Sequence, residues 1–264
     1  MKIENDKYYT PPDLAKHCFD KTVEIIGIKN ITDIIEPSAG DGSFSKLWPF
    51  CTAYDIEPEH PDIIKQDFLI LNIPYKRGRL FIGNPPYGRG MLLVQKFFKK
   101  CIGLGDYISF ILPISQLNNT ISLYEFDLVY SEDLGKKIYS DRTIHACLNI
   151  YKRPENGKLN SKPVLNMQDI TIVRQDHKNY DELVNYDIRM VYWGSGCAGR
   201  ILSPEDRKFA GEYKIIIHND ALRERIKEVI KNTDWRGELS KIAMTRIKQY
   251  QIYEILKREI PEFK

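Results

Sequence analysis

The residues of this 264-residue chain best equipped for chemistry are Asn84-Pro85-Pro86-Tyr87, directly after the apolar run Leu80-Phe81-Ile82-Gly83. Neither proline offers a backbone N–H, so a strand over this run must stop in a rigid, extended turn. Within four residues the turn presents a side-chain amide, a proline carbonyl and an aromatic ring. Those groups can accept both hydrogens of an exocyclic amine and stack on the planar base that carries it. A Pro-rich strand end with a half-buried tyrosine would have the same local sequence. The neighbouring motifs decide between the two.

Upstream, Thr32-Asp33-Ile34-Ile35 runs into Glu36-Pro37-Ser38-Ala39-Gly40-Asp41-Gly42-Ser43-Phe44, a strand meeting a small-residue turn ahead of an expected helix. Gly40 and Gly42 allow the backbone to approach a ligand closely. Ser45 occupies the place of a third glycine, so this is not the dinucleotide fingerprint. Glu36, at the strand end, suits the cationic amine of an amino acid better than a phosphate. Asp55 ends the run Cys51-Thr52-Ala53-Tyr54-Asp55-Ile56, at the offset where an acidic residue takes ribose hydroxyls in nucleotide-binding α/β folds. Asp67-Phe68 follows a third short run, Ile63-Ile64-Lys65. Near the start, Thr10 reads as an N-cap and Pro11 as the first residue of a helix, whose N-terminus would favour a carboxylate.

These residues need a scaffold. The spacing predicts a helix from Pro11 with Leu14, Ala15, Cys18, Phe19, Thr22, Val23 and Ile26 inward, a second over Leu92–Cys101 closed by Gly103-Leu104-Gly105, and a strand over Tyr107–Pro113. Alternating strands and helices imply a parallel sheet covered on both faces. Leu128-Val129-Tyr130 and Ile144–Tyr151 read as an antiparallel pair closing it. Ligands of such sheets bind at the carboxyl ends of the strands, where all the motifs above lie. The polar stretch Lys152–Lys158 marks a domain boundary, giving residues 1–153 and 154–264. The second part contains strand-like runs at Asp169–Val173, Ile188–Trp193 and Tyr213–His218, a Gly-rich loop over 194–199, and helical segments Ala221–Lys231 and Glu238–Arg258.

Composition narrows the function classes. Five scattered cysteines without a C-x-x-C pair suggest free thiols in a reducing, cytoplasmic setting, and five dispersed histidines argue against a metal centre. Nothing reads as a membrane span or a signal peptide. Residues 1–153 carry 19 Lys and Arg against 19 Asp and Glu, so the net charge of +3 resides entirely in residues 154–264. That is a mild basic bias, compatible with nucleic acid.

In sequence order the motifs resemble those of the DNA N6-adenine amino-methyltransferases, in the arrangement where the target-recognition region follows the catalytic domain. The resemblance rests on Tyr9-Thr10-Pro11, Glu36 through Phe44, Asp55, Asp67-Phe68 and Asn84 through Tyr87, and covers roughly residues 7–153. It implies a Rossmann-like α/β fold with a smaller C-terminal α+β region, and S-adenosyl-L-methionine as cofactor. By the same resemblance Thr10, Pro37, Ala39 and the Gly40 turn hold the methionine end, with Glu36 near its amine. Asp55 takes the ribose, Ile56 packs on the adenine, Asp67 accepts from its N6 amine and Phe68 lies against the ring. Asn84, Pro85, Pro86 and Tyr87 form the catalytic tetrapeptide, Asn84 also bordering the cofactor. Tyr139 stands where related enzymes have an aromatic that touches the flipped base. The implied partner is adenine-containing double-stranded DNA, met by a monomer or weak dimer. A companion restriction endonuclease, as in restriction–modification systems, is compatible with it.

Alternatives share parts of this pattern. They are the same transfer to RNA adenine, glutamine N5 methylation of protein, N4-cytosine transfer, and a catalytically silent, methyltransferase-like subunit that binds nucleic acid. Phe44 after the Gly turn argues against the glutamine class, Asn84 against the cytosine class, and the intact turn and Asn84 against the silent subunit. In the C-terminal region Arg200 is a candidate phosphate contact. Arg246, Lys248, Gln249 and Gln251 are candidates for reading DNA from a final helix. The same helix, with Ile242, Thr245, Gln249, Ile252, Ile255 and Leu256, would equally serve as an amphipathic packing element.

Overall fold

The computed structural model describes residues 9–139, 142–162, 167–176, 185–194, 196–209, 211–240 and 246–264. The chain forms two compact units, residues 1–163 and 164–264. Ile242 and Thr245 lie outside the described residues.

The first unit holds β1 (Asp33–Glu36), β2 (Cys51–Asp55), β3 (Ile64–Lys65), β4 (Arg79–Gly83), β5 (Tyr107–Pro113), β6 (Asp127–Tyr139) and β7 (Arg142–Lys152), with helices α1 (Pro12–Ile26) and α2 (Leu92–Ile102). The strands lie in the order β3-β2-β1-β4-β5-β7-β6. The first five are parallel, whereas β7 runs antiparallel to β5 and β6 antiparallel to β7. The arrangement is the Rossmann-like α/β sheet expected from the sequence.

Strand alternation divides the apolar residues between the two faces. Ile34, Leu80, Ile82, Ile111, Ala146, Leu148 and Ile150 pack with Leu14, Ala15, Cys18 and Phe19 of α1. Ile35, Phe81, Ile108, Phe110, Leu112, Cys147 and Tyr151 pack with Val94, Phe97, Phe98, Cys101 and Ile102 of α2. The order in which strands are added reverses between β1, from which the chain moves outward to β2 and β3, and β4, on the other side of β1. The carboxyl ends of β1 and β4 thus frame the topological switch point where α/β sheets bind ligands.

Three elements differ from expectation. The N-cap of α1 is Pro11, with Pro12 opening the helix, so Thr10 lies one residue outside it. The segment after the Gly turn forms only a short 3₁₀ turn, Ser45–Leu47, before Trp48 turns extended and Pro49 follows. The closing strands are far longer than their apolar runs. The charged stretch of β6 stays in the ladder with Glu132 and Asp133 paired opposite Leu148 and Cys147, and register shifts between Leu128 and Tyr130 and between Asp133 and Lys136 absorb the irregularity. His17 and His145 meet Glu132 and Asp133 at 2.9 and 2.7 Å.

The polar stretch after β7 stays with the first unit. Arg153 reaches the carbonyls of Ile102 and Gly105 and the Asp106 carboxylate, and stacks over Phe126. The Asn160 amide N–H donates to Glu125 O at 3.0 Å and its side chain to Asp127 at 2.8 Å. These ties place the division at Pro163/Val164, ten residues beyond the Arg153/Pro154 boundary expected from composition.

The second unit is α+β. β8 (Ile170–Asp176), β9 (Ile188–Val191), β10 (Ile201–Leu202) and β11 (Gly211–Ile217) form an antiparallel sheet in the order β10-β9-β11-β8. Ile226 and Ile230 of α3 (Arg223–Asn232), Trp235 of α4 (Trp235–Ser240) and Ile252, Ile255 and Leu256 of α5 (Gln249–Glu259) pack on it. Within the sheet Arg189 pairs bidentately with Glu212 at 2.7 and 2.9 Å, both buried. The same guanidinium donates to the carbonyls of Ser203, Asp206 and Arg207, pinning that loop.

Candidate active site

The tetrapeptide emerges where the topology puts the ligand crevice. A Cβ placed on Gly83, the last residue of β4, would stand 3.6 Å from Glu36 Cγ and 3.8 Å from Pro37 Cδ, which shows how closely the two strand ends approach. Asn84 is half-buried and donates from Nδ2 to Thr10 Oγ1 at 3.4 Å. The Thr10 carbonyl accepts from the Ser43 hydroxyl at 2.9 Å. Thr10, although not a helix cap, therefore ties the Gly turn to the tetrapeptide. Pro85 is buried, and Tyr87 is half-buried against the α2-side core.

The Gly turn is held from two sides. Glu36, 2 % exposed, accepts from the Ser45 N–H at 2.7 Å and the Phe44 N–H at 3.4 Å. Asp55 accepts from the Gly40 N–H at 2.7 Å through one oxygen and from the Glu57 N–H at 2.8 Å through the other. Gly40 and Gly42 have φ of 54° and 84°, left-handed conformations that glycine adopts without strain. A Cβ would meet the Tyr9 ring at 3.2 Å on Gly40, and Ser45 Oγ at 2.9 Å on Gly42. Tyr9 is anchored in turn through its hydroxyl to Glu59.

Burial pushes the Glu36 carboxyl up to about 8, the Ser45 and Phe44 N–H bonds opposing the rise. An enclosed acid of that kind carries little charge at neutral pH. Glu36 faces the N–H groups of the turn and is enclosed, where the strand-end reading expected it to be open to an ammonium group. The strand-end signal was right about location but could not reveal which way the carboxylate turns.

Asp67 follows β3 and caps the short turn Phe68–Ile70, accepting from Leu69 N–H at 2.8 Å. Ile56, directly after β2, is 53 % exposed. Phe68, expected against the cofactor's ring, is instead 1 % exposed and lies in the core, stacked on Phe97 and edge-on to Phe81, each at 5.7 Å between ring centres. Tyr139 is likewise misassigned as a base contact. It is fully buried among the α1-side core residues, and its hydroxyl finds no hydrogen-bond partner among the described residues.

In the second unit Arg200 is exposed and paired with Asp206 at 3.0 Å, so a phosphate would have to compete with that carboxylate. Arg246 and Lys248 are not on a helix. Arg246 forms an isolated β-bridge with Trp193, and Lys248 is the N-cap of α5. Gln249 donates to Ile172 O and Gln251 accepts from the Lys248 N–H, so both glutamines serve the fold rather than read bases. Ser43 and Tyr9, which the motifs contain without a stated role, and Glu59, which they do not contain, hold the turn. Sequence reasoning passed over Trp193, half-exposed at 49 %.

The donor set suits an adenosyl ligand with an amino-acid tail. It comprises a glycine cradle at the switch point, acidic residues at the ends of β2 and β3, and an exposed isoleucine between them. No group of His, Cys, Asp and Glu among the described residues could hold a metal ion. No described helix is long and apolar enough to cross a membrane.

No protein-family model matches the chain. No curated protein matches it in sequence. Among solved structures it is similar to a candidate RNA methyltransferase of Pyrococcus horikoshii, with 16% identity over 58% of this chain and 89% of that one at a TM-score of 0.47. It is similar to the 23S rRNA methyltransferase ErmE, at 13% identity over 56% and 70% of the two chains and a TM-score of 0.41. A type I restriction-modification methyltransferase subunit of Streptococcus thermophilus is 13% identical over 85% and 53%, with a TM-score of 0.42.

Proposed function

We propose that the chain transfers a methyl group from S-adenosyl-L-methionine to the N6 amine of a flipped-out adenine in DNA. The observation that carries this reading is the juxtaposition at one crevice of Asn84-Pro85-Pro86-Tyr87, leaving β4, with the glycine turn leaving β1, the two joined through Thr10. The Gly40 turn with Pro37, Ala39 and Thr10 would hold the methionine end, and Asp55, Ile56 and Asp67 the adenosine.

When bound, the cofactor supplies an electrophilic methyl group on a sulfonium. The protein's task is to make a poor nucleophile attack it. A duplex adenine must first leave the stack, at a cost of a few kcal/mol. Stacking on Tyr87 would return about 1–3 kcal/mol. The Asn84 side-chain oxygen and the Pro85 carbonyl can accept both N6 hydrogens, drawing the nitrogen toward tetrahedral geometry and stabilising its developing positive charge. In-line positioning supplies much of the remaining acceleration. The extra proton leaves after transfer, so no general base is needed beforehand. The second unit supplies DNA contacts through Arg246 and Lys248.

The test is transfer of labelled methyl groups to DNA, RNA and protein in parallel, followed by digestion to nucleosides. N6-methyladenine in the DNA fraction is expected. Label confined to RNA or protein would overturn the assignment of substrate. Asn84→Ala should lower turnover at least about 100-fold, on the scale of a lost transition-state hydrogen bond, while cofactor affinity changes little by calorimetry. Equal loss of both would make Asn84 a binding residue only.

A further inference from the structure

Trp193 follows β9 and is 49 % exposed, an unusual position for the largest side chain. It is not at a loose tip. Its backbone is bridged antiparallel to Arg246, and its carbonyl accepts from the Cys197 thiol at 3.5 Å. Paired residues of an antiparallel bridge project to the same face, about 4.5–5.5 Å apart at Cβ. Trp193 and Arg246 are therefore side-by-side neighbours.

Further cations lie around Tyr192, the residue before Trp193. The Arg246 guanidinium lies 5.9 Å from the Tyr192 ring centre, and that of exposed Arg174 lies 5.3 Å from the same ring while donating to the Tyr192 hydroxyl at 2.7 Å. The Lys248 ammonium lies 5.9 Å from the Tyr250 ring centre. Its pKa is held below the usual lysine value, first by desolvation and then by the Arg246 charge. Neither Arg246 nor Lys248 has a carboxylate partner among the described residues. The fold thus brings like charges together beside an exposed indole, an arrangement that costs stability until an anion enters.

We infer that Trp193, with Arg246, Lys248 and Arg174, forms a binding site for an unstacked nucleotide, the indole stacking on a base and the cations meeting the adjoining phosphates. Nucleic acid is favoured over other polyanions because a planar apolar surface and a phosphate-binding group are presented together. The occupant is a single-stranded or locally opened segment, since bases within an intact duplex have no free face. This inference rests on the reading of a nucleic-acid substrate and says which groups of the second unit meet it, none of them among the residues proposed to handle the methyl group.

Tryptophan fluorescence tests it on the full chain. The protein has three tryptophans, and Trp193→Phe identifies the signal that belongs to this one. Titration with a single-stranded oligonucleotide should quench Trp193, and inorganic polyphosphate should not. Trp193→Ala should weaken binding at least about fivefold, with Trp193→Phe recovering part of the loss. Arg246→Ala should lower the salt dependence by about one phosphate contact. Unaltered affinity of Trp193→Ala, or equal quenching by polyphosphate, would overturn the site. The binding readout is independent of methyl transfer. Quenching without N6-methyladenine formation therefore defeats the proposed reaction alone, and methylation with no effect at Trp193 defeats this site alone.

Discussion

Replacing Glu36 by Gln separates a turn-positioning acid from a charged ligand contact. In the folded protein the carboxyl is pushed up to about 8, chiefly by burial, whereas its ordinary value is 4.5. A raised acid pKa means that the folded state keeps a proton the unfolded chain has lost. The associated stability is fully present below pH 4.5 and disappears as the pH rises through about 8. Across that window the slope approaches about 1.4 kcal/mol per pH unit, so one buried acid accounts for a few kcal/mol in all. Gln cannot ionise but keeps an oxygen that can accept from the Ser45 N–H, the 2.7 Å contact of the pair. Urea midpoints measured from pH 5 to 9, followed through the tryptophans, should fall more steeply for wild type than for Glu36→Gln, and the two curves should cross or converge toward low pH. Other titrating groups are common to both proteins and cancel in the difference. Parallel curves would refute the reasoning, because they would mean that Glu36 is ionised in the fold and available as a counter-ion after all.

Phe68→Ala should cost about 3–5 kcal/mol of stability, because it empties the space between Phe81 and Phe97. Thermal unfolding measures this, and a wild-type melting temperature with lost cofactor binding would instead return Phe68 to the ligand. Tyr139→Phe should be neutral or stabilising by up to about 1 kcal/mol, since its hydroxyl is buried without a partner, and should leave methyl transfer intact. A selective loss of turnover in that variant would revive its role at the base. Glu212→Ala should cost about 3–5 kcal/mol by stranding the Arg189 charge in the second unit, with proteolysis appearing first in the 203–209 loop.

The order of the motifs and their place at strand ends could be read from the residues alone, because strand termination by proline and turn formation by glycine are local effects. The sheet followed from the same logic, since Ile34/Ile35 and Leu80/Phe81/Ile82 alternate between two apolar faces. What could not be read was direction. Glu36 and Phe68 stand at the expected strand ends, but the neighbours that turn one toward Ser45 and the other toward Phe97 are distant in sequence. The long β6–β7 pair was hidden because its solvent-facing charges interrupt any apolar pattern, while hydrogen bonding to the neighbouring strand does not depend on side-chain polarity. The final helix was drawn too long for the opposite reason. Gln249, Ile252, Ile255 and Leu256 continue a helical spacing from Ile242 and Thr245, yet the N–H of Ile247 bonds to Tyr192 O and the helix begins at Gln249.

The ties made by Asn160 bear on how a protein of this kind can be divided or recombined. A cut at the compositional boundary near Arg153 would strip Glu125 and Asp127 of a backbone and a side-chain partner and leave one edge of the catalytic unit frayed. A junction at Pro163/Val164 leaves both units with their own internal bonding. It is therefore the natural splice point for exchanging the second unit, with the crevice at the ends of β1 and β4 carried over in the first.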